Sequence, residues 1–441
     1  MERRVRRPSA VGGEVTPPGD KSISHRAAIL NSLANGTARV TNFAPGADCA
    51  STLSCLRALG VRMETVSANP PTIEIHGVGV MGFTEPDTVL DAGNSGTTMR
   101  LLTGLLAGQA FFTVITGDAS LCSRPMGRVI HPLRLMGARI YGRNRDTLAP
   151  LAIKGQELHG LDYTLPVASA QIKSAMLIAG LFSQQKGRTV VREPAVSRDH
   201  TERMLRAMGV KVTAEGPVVT LMPPAAPPKA IDVHVPGDIS SAAYWLVLGA
   251  IHPNARVRIE GTGVNPTRTG IIDVLLKMGA RIKAENERVI NNEPVADLVV
   301  ESSELTAAEI AGDLVPRLID EVPVLAVAAC LATGTTVIKD AAELRVKETD
   351  RIAFLVAELS KMGANVEELP DGIIIRGGGK LNGAECSSHG DHRIAMALGV
   401  AGAIANGETL IENAGVVDIS YPGFWQELEK LTAHLAEGGQ K

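Results

Sequence analysis

The chain is 441 residues long, 45% apolar and 21% charged, with 44 Lys and Arg against 47 Asp and Glu and a formal net charge of -3. That length exceeds the roughly 250–300 residues one core can organise, so two domains are expected, and the slightly acidic balance excludes a nucleic-acid partner, which calls for basic excess. No run of about 18 apolar residues is present to cross a membrane, and five cysteines (Cys49, Cys55, Cys122, Cys330, Cys386), odd in number and without a CxxC pair, read as reduced thiols of a cytoplasmic protein.

In chain order the first element is basic, Met1 to Arg7, but Pro, Gly and Glu follow in place of an apolar stretch. It reads as the solvated end of a strand and not as a secretory signal. Aromatic residues are only 3% of the chain, so the cores are expected to be Ala, Val, Leu, Ile and Met in close-packed helices and sheets. A helix opened by Lys21-Ser22 comes next, and five further openings follow: Asn94-Ser95, Ser169-Ala170, Ser240-Ser241, Asp320-Glu321 and Asp391-His392. Each sets polar residues ahead of an Ala-rich apolar helix. Between them Leu-x-x-[Leu/Met]-Gly recurs at Leu56 to Gly60, Leu133 to Gly137, Leu205 to Gly209, Leu275 to Gly279 and Leu359 to Gly363. This is the last turn of an amphipathic helix closed by a C-cap glycine, with a short strand after it. The closures lie 70 to 84 residues apart (Gly209 to Gly279, Gly279 to Gly363), which indicates one supersecondary unit used repeatedly.

Six openings meet only five closures, because the last helix, Phe424 to Leu431, has no strand after it. The missing strand is expected from residues 3–15. Pro18-Gly-Asp-Lys-Ser22 and Pro236-Gly-Asp-Ile-Ser240 are near copies 218 residues apart (236 − 18) and read as the two crossings between domains. One domain is then residues 20–236 and the other residues 1–19 plus 237–441, with three units each and the active site in the cleft they close upon.

Other signals are set aside. Gly77-Val-Gly-Val-Met-Gly82 matches GxGxxG, but Phe-Thr-Glu-Pro follows where a dinucleotide site needs a helix, so it reads as a strand-linking turn. Gly377-Gly-Gly-Lys380 lacks P-loop spacing and reads as a hairpin. His389-Gly-Asp-His392 has no further Cys/His ligand pattern, so no metal is expected, nor any other cofactor. His25 reads as readily as a packed core histidine as a catalytic one, and Cys122, near Arg124, is the only cysteine whose position raises a nucleophilic role.

Helix N-termini favour anions through unpaired N–H groups and the macrodipole. Around the six openings lie Lys21, Arg26, Arg124, Arg128, Arg198, Lys347, Arg351 and Arg393, a set suited to ligands with phosphates and carboxylates. Any one of these cations alone would read as a surface ion pair; their shared position at the openings argues otherwise.

Pro18-Gly-Asp-Lys-Ser-Ile-Ser-His-Arg26, Gly93-Asn-Ser-Gly-Thr97, Arg124-Pro125, Ser169-Ala-Gln171, Leu318-Ile-Asp-Glu321, Arg345-Val-Lys-Glu-Thr-Asp-Arg351 and Asp391-His-Arg393, in that order over almost the whole chain, resemble the EPSP synthase (3-phosphoshikimate 1-carboxyvinyltransferase) family of enolpyruvyl transferases. The resemblance implies a two-domain inside-out α/β barrel of six βαβαββ units, three per domain. It implies transfer of the carboxyvinyl group of phosphoenolpyruvate to the 5-hydroxyl of shikimate 3-phosphate through a tetrahedral intermediate, with those two small molecules as the partners of a monomer. By position it makes Lys21, Ser22, Arg26, Ser169, Ala170, Gln171, Ser197, Arg198, Asp320 and Lys347 contacts of shikimate 3-phosphate. Lys21, Gly96, Arg124, Gln171, Arg351 and Arg393 become contacts of phosphoenolpyruvate. Asp320 and Glu348 are the implied proton-transfer groups, with Lys21, Arg124 and His392 stabilising the departing phosphate. Gly96 is where a larger residue crowds glyphosate in this family, so inhibition by that compound is expected.

The chain departs from the family pattern at Ala170 (many members carry Ser), His200 (some carry Tyr) and Glu343 (some carry Asn). Val417-Asp-Ile-Ser-Tyr-Pro422 also lacks a lysine that some members use for phosphoenolpyruvate. These differences bear on affinity and inhibitor response. A UDP-N-acetylglucosamine enolpyruvyl transferase is the nearest alternative, disfavoured because Ala119 stands five residues before Arg124 where that family has Cys, and Ser22 follows Lys21 in place of Asn. A non-catalytic anion-binding protein would lose Asp320 or Glu348, and an RNA-end-processing relative would be basic.

Overall fold

The computed structural model describes residues 1–183 and 187–433. The chain forms two compact units: a first, Gly19–Val235 with Ile290–Glu293, and a second, Met1–Pro18, Pro236–Val289 and Pro294 onward. Each has its own hydrophobic core.

In the first unit three helices, α1 (Lys21–Ser32), α2 (Gly96–Leu106) and α3 (Ala170–Gly180), are buried along nearly their whole length. A helix apolar on every side belongs inside, and small residues let α2 and α3 approach closely. A Cβ on Gly104 of α2 would sit 2.3 Å from the Ala175 carbonyl of α3. Three four-stranded sheets accompany them. In each, a short strand pairs parallel with the next (Val233–His234 with Asn35–Thr41, Leu90–Asp91 with Phe112–Thr116, Asp162–Thr164 with Thr189–Arg192), and a hairpin continues the sheet antiparallel.

The second unit repeats the plan with α4 (Ile239–Ile251), α5 (Val322–Leu331) and α6 (His392–Gly402), the last buried at every residue. Its third sheet has three strands among the described residues. There Arg3–Arg6 pairs antiparallel with Glu408–Glu412, Arg3 opposite Ile411 and Arg6 opposite Glu408. The absent strand is therefore supplied by the N-terminus, although only residues 3–6 do this; Val11–Val15 joins Ala255–Gly263 in another sheet of the same unit. The edge arginines Arg4 and Arg6 pair with Glu408 at 2.6 and 2.8 Å. Both tryptophans of the chain lie at the last described helix, Phe424–Ala433. Trp245 stacks on Phe424 at 5.0 Å and donates to the Tyr421 hydroxyl at 3.0 Å.

All five Leu-x-x-[Leu/Met]-Gly segments close helices as anticipated. Gly60, Gly137, Gly209, Gly279 and Gly363 have φ between 84° and 107°. In every case the N–H after the glycine bonds the carbonyl of the first leucine, from Val61 to Leu56 at 3.1 Å through Ala364 to Leu359 at 3.0 Å. This is the Schellman arrangement, which satisfies carbonyls the helix leaves over. Gly377-Gly-Gly-Lys380 differs from expectation: it is the loop leaving a hairpin, whose turn is at Pro370-Asp371.

Residues 290–293, which the sequence reading leaves in the other domain, group with the first unit. They include the left-handed turn residues Asn291 and Asn292. The Asn291 side chain donates to the Asp232 carbonyl at 2.9 Å, and Glu293 meets His200 Nδ1 at 2.8 Å.

Candidate active site

In the first unit the expected site residues gather at the N-termini of α1, α2 and α3, where Asp20, Ser95 and Ser169 cap the helices by accepting from the N–H groups of Ile23, Thr98 and Ile172. Lys21 Nζ lies 2.8 Å from Asp48. Arg26, one turn into α1 and buried, donates to Thr201 Oγ1 (2.7 Å), Ser174 Oγ (2.8 Å) and the Ser22 carbonyl (3.0 Å). Arg198 reaches Ser22 Oγ at 3.4 Å. Arg124 donates to the Asn94 carbonyl and side chain and to Ser120 Oγ, at 3.2, 2.6 and 3.1 Å. Gln171 sits between two groups, accepting from Arg100 at 2.8 Å and donating to Thr97 Oγ1 at 2.9 Å. A Cβ at Gly96 would fall 2.6 Å from the Arg100 guanidinium and 3.6 Å from that of Arg124. Behind this layer His25 is wholly buried, its Nδ1 2.7 Å from Thr52 Oγ1, and burial pulls its pKa down to about 3.

In the second unit the corresponding cluster is charge on charge. Asp320, at the head of α5, lies 3.5 Å from Lys347, 3.5 Å from Arg351 and 3.9 Å from Arg393. Arg351 is 1% exposed; it donates to Glu348 at 2.6 Å and to both Asp391 oxygens at 2.8 and 3.3 Å. Asp391 also caps α6 by accepting from Arg393 N at 2.8 Å, and Arg393 donates to the Asp320 carbonyl at 3.1 Å. Burial alone would raise the Asp391 pKa, but the Arg351 guanidinium holds it below the usual carboxylate range. Burial likewise opposes the charges of Arg351 and Arg393, and Asp391 and Glu348 for the one, Asp320 for the other, outweigh it. His392, the first residue of α6, is buried. At the head of α4, Arg268 donates to Ser240 Oγ at 2.6 Å, and Ser240 donates to Glu321.

The model of the EPSP synthase (3-phosphoshikimate 1-carboxyvinyltransferase) family matches residues 5–428. The chain belongs to this family. It is 53% identical over 433 residues to the 3-phosphoshikimate 1-carboxyvinyltransferase of Herpetosiphon aurantiacus, covering 98% of this chain and 99% of that one. It is 53% identical over 436 residues to that of Bacillus thuringiensis strain Al Hakam, covering 98% and 100%. Among solved structures, EPSP synthase from Acinetobacter baumannii superposes with a TM-score of 0.85 at 45% identity, covering 98% of each chain. The enolpyruvyl transferase NikO of Streptomyces tendae, at 18% identity and a TM-score of 0.79 over 97% and 96% of the chains, shares the fold.

Against the family pattern, the first unit brings together Lys21, Ser22, Arg26, Gly96, Arg124, Ser169, Ala170, Gln171, Ser197 and Arg198; the second brings together Asp320, Lys347, Glu348, Arg351, His392 and Arg393. Ser197 is more enclosed than a surface ligand contact, 4% exposed with its hydroxyl donating to Glu193. Arg100 was missed, although its place four residues after Gly96 repeats that of Arg26 after Ser22. Asp391 was legible as part of a motif but not as the partner of Arg351, because 40 residues separate them. The Cys122 thiol lies 3.3 Å from the Gly117 carbonyl and 3.6 Å from Thr116 Oγ1. His389 meets Glu358 at 2.7 Å and stacks on Phe354 at 3.9 Å.

Proposed function

We propose that the two clusters divide one reaction between them. As an EPSP synthase family member the chain transfers the carboxyvinyl group of phosphoenolpyruvate to the 5-hydroxyl of shikimate 3-phosphate and releases phosphate. The hydroxyl loses its proton as its oxygen bonds to C2, C3 gains a proton, and a tetrahedral adduct forms. Phosphate then leaves C2 while C3 gives a proton back.

In this reading the first cluster holds the substrates. Ser169, the Ala170 backbone, Ser197 and Arg198 take the phosphate of shikimate 3-phosphate, while Ser22, Arg26 and Gln171 hold its ring. Lys21, Arg124 and Gln171, beside Gly96, take phosphoenolpyruvate together with Arg351 and Arg393. Asp320 accepts the hydroxyl proton and Lys347 lies beside it toward shikimate 3-phosphate. Glu348 handles the C3 proton, and Lys21, Arg124 and His392 stabilise the phosphate as it leaves. The observation that carries the assignment is the position of Asp320: a carboxylate at the head of α5 with Lys347, Arg351 and Arg393 within 4 Å, so that a hydroxyl on an anionic substrate held by those cations is brought against it.

Five free cysteines support placing the reaction in a reducing cytoplasm, and we propose a monomer because each unit completes its own core. Among the described residues no helix is long and apolar enough to cross a membrane. Phosphate release from purified protein tests the reading. It is expected with phosphoenolpyruvate plus shikimate 3-phosphate and not with phosphoenolpyruvate plus UDP-N-acetylglucosamine; the reverse result would overturn it.

A further inference from the structure

We infer that Glu193 is a positioning residue for the phosphate of shikimate 3-phosphate, its one buried carboxylate fixing both Ser169 and Ser197. The inference rests on the reading above that these serines hold that phosphate.

Glu193 follows the strand Thr189–Arg192. Its Oε1 accepts from Ser197 Oγ at 2.5 Å and from Ser169 N at 3.2 Å, and its Oε2 accepts from Lys173 Nζ at 2.7 Å and from Ser197 N at 3.5 Å. Two chain segments that meet the ligand at different places are thus tied to one carboxylate. Lys173 lies one turn beyond Ser169 on α3 and is buried; its ammonium also reaches Glu202 at 2.9 Å and the Ser197 carbonyl at 3.3 Å. Burial works against that charge, but Glu202 and Glu193 outweigh it and the lysine stays protonated.

Two buried carboxylates on one lysine do different work. Glu202 meets the ion-pairing need of Lys173 from α-helical position His200–Ala207, whereas the contacts of Glu193 extend to the serines. A hydroxyl has one proton to donate. Glu193 keeps three N–H donors besides Ser197 Oγ, so Ser197 can turn its proton to an arriving phosphate without leaving the carboxylate buried and unsatisfied. The cradle is then held in place before the ligand arrives, which lowers the ordering cost of binding.

Steady-state phosphate release with Glu193→Gln, Glu202→Gln, Ser169→Ala and Ser197→Ala tests this, with melting curves alongside. Glu193→Gln is expected to raise KM for shikimate 3-phosphate about tenfold or more, the scale of a lost hydrogen bond to a charged group, while KM for phosphoenolpyruvate stays within about twofold. It should also narrow the preference for shikimate 3-phosphate over unphosphorylated shikimate. Glu202→Gln should lower the melting temperature comparably and leave KM for shikimate 3-phosphate near that of the parent. An unchanged KM in Glu193→Gln, or an equal rise in Glu202→Gln, overturns the inference. Should Glu193→Gln not fold, Lys173→Met/Glu193→Gln/Glu202→Gln removes the three buried charges together, which buried ion pairs tolerate better than loss of one partner, and a parental KM there overturns it equally. If the serine variants leave KM for shikimate 3-phosphate unchanged, the site assignment itself fails; if they raise it while Glu193→Gln does not, only the positioning role fails.

Discussion

At the head of α1, Arg26 gives its hydrogen bonds to Thr201, Ser174 and a backbone carbonyl; near the head of α6, Arg351 gives its own to the carboxylates of Asp391 and Glu348. Lys21, against Asp48, is an exception in the first unit, but other cations follow the contrast. Arg100, Arg124 and Arg198 of the first bond Gln171, Asn94, Ser120 and Ser22, whereas Arg393 and Lys347 of the second lie against Asp320. One repeat, with the same helix N-termini and the same glycine closures, carries two kinds of site. In the proposed reaction, side chains that donate to hydroxyl and amide oxygens suit the oxygens of an anionic substrate, while cations against carboxylates tune the groups proposed to pass protons.

The largest expected effect comes from the second cluster. Asp320→Asn keeps size and loses the proposed base, and should cut turnover by about 10²- to 10⁴-fold in a protein whose melting curve still shows it folded, though at a lower temperature because Arg393 loses a charge partner; near-parental phosphate release would remove Asp320 from the mechanism. Next, Asp391→Ala leaves Arg351 buried without its main partner and should cost about 3–5 kcal/mol in urea unfolding. Its counterpart in the first unit, Thr201→Val, takes a neutral acceptor from Arg26 and should cost less, about 1.5–3 kcal/mol. Equal losses would erase the distinction drawn between the two units.

Acid should weaken the first unit through His25, which faces Asp48, Lys21, Arg26 and Asp20. Its folded pKa of about 3 lies below the ordinary 6.5, so the folded state binds fewer protons between those values. Stability present above pH 6.5 is therefore lost as pH falls toward 3, by up to about 1.4 kcal/mol per pH unit. Urea midpoints at pH 7, 6 and 5 should show the decline, and His25→Gln should flatten it. The smallest effect is common to both units. Gly209 has φ 85° with no atom within 4 Å of an added Cβ, so Gly209→Ala should cost about 1 kcal/mol, all of it backbone conformation. A loss several times larger would mean that the closure does more than end a helix.

Much of this architecture was legible locally. A Schellman closure links residues five apart and needs a glycine at a set place, so five leucine-to-glycine segments announced five helix ends. The unequal count of openings and closures pointed to an N-terminal strand, and the motif order pointed to the family. Which part of residues 3–15 would complete the last sheet was not legible, because both Arg3–Arg6 and Val11–Val15 read as extended and only pairing partners far along the chain distinguish them.

By itself the sequence determined the repeat, the helix ends, the polar openings and the set of cations around them, since these depend on backbone hydrogen bonds and side-chain periodicity within a few residues. Only the tertiary structure decided that Arg351 answers to Asp391, that Glu193 ties Ser169 to Ser197, that His25 is sealed from water, and that residues 290–293 join the first unit. Those outcomes are set by burial and by contacts between segments tens of residues apart, where the cost of an unpaired charge or unsatisfied donor selects one partner among several the sequence allows.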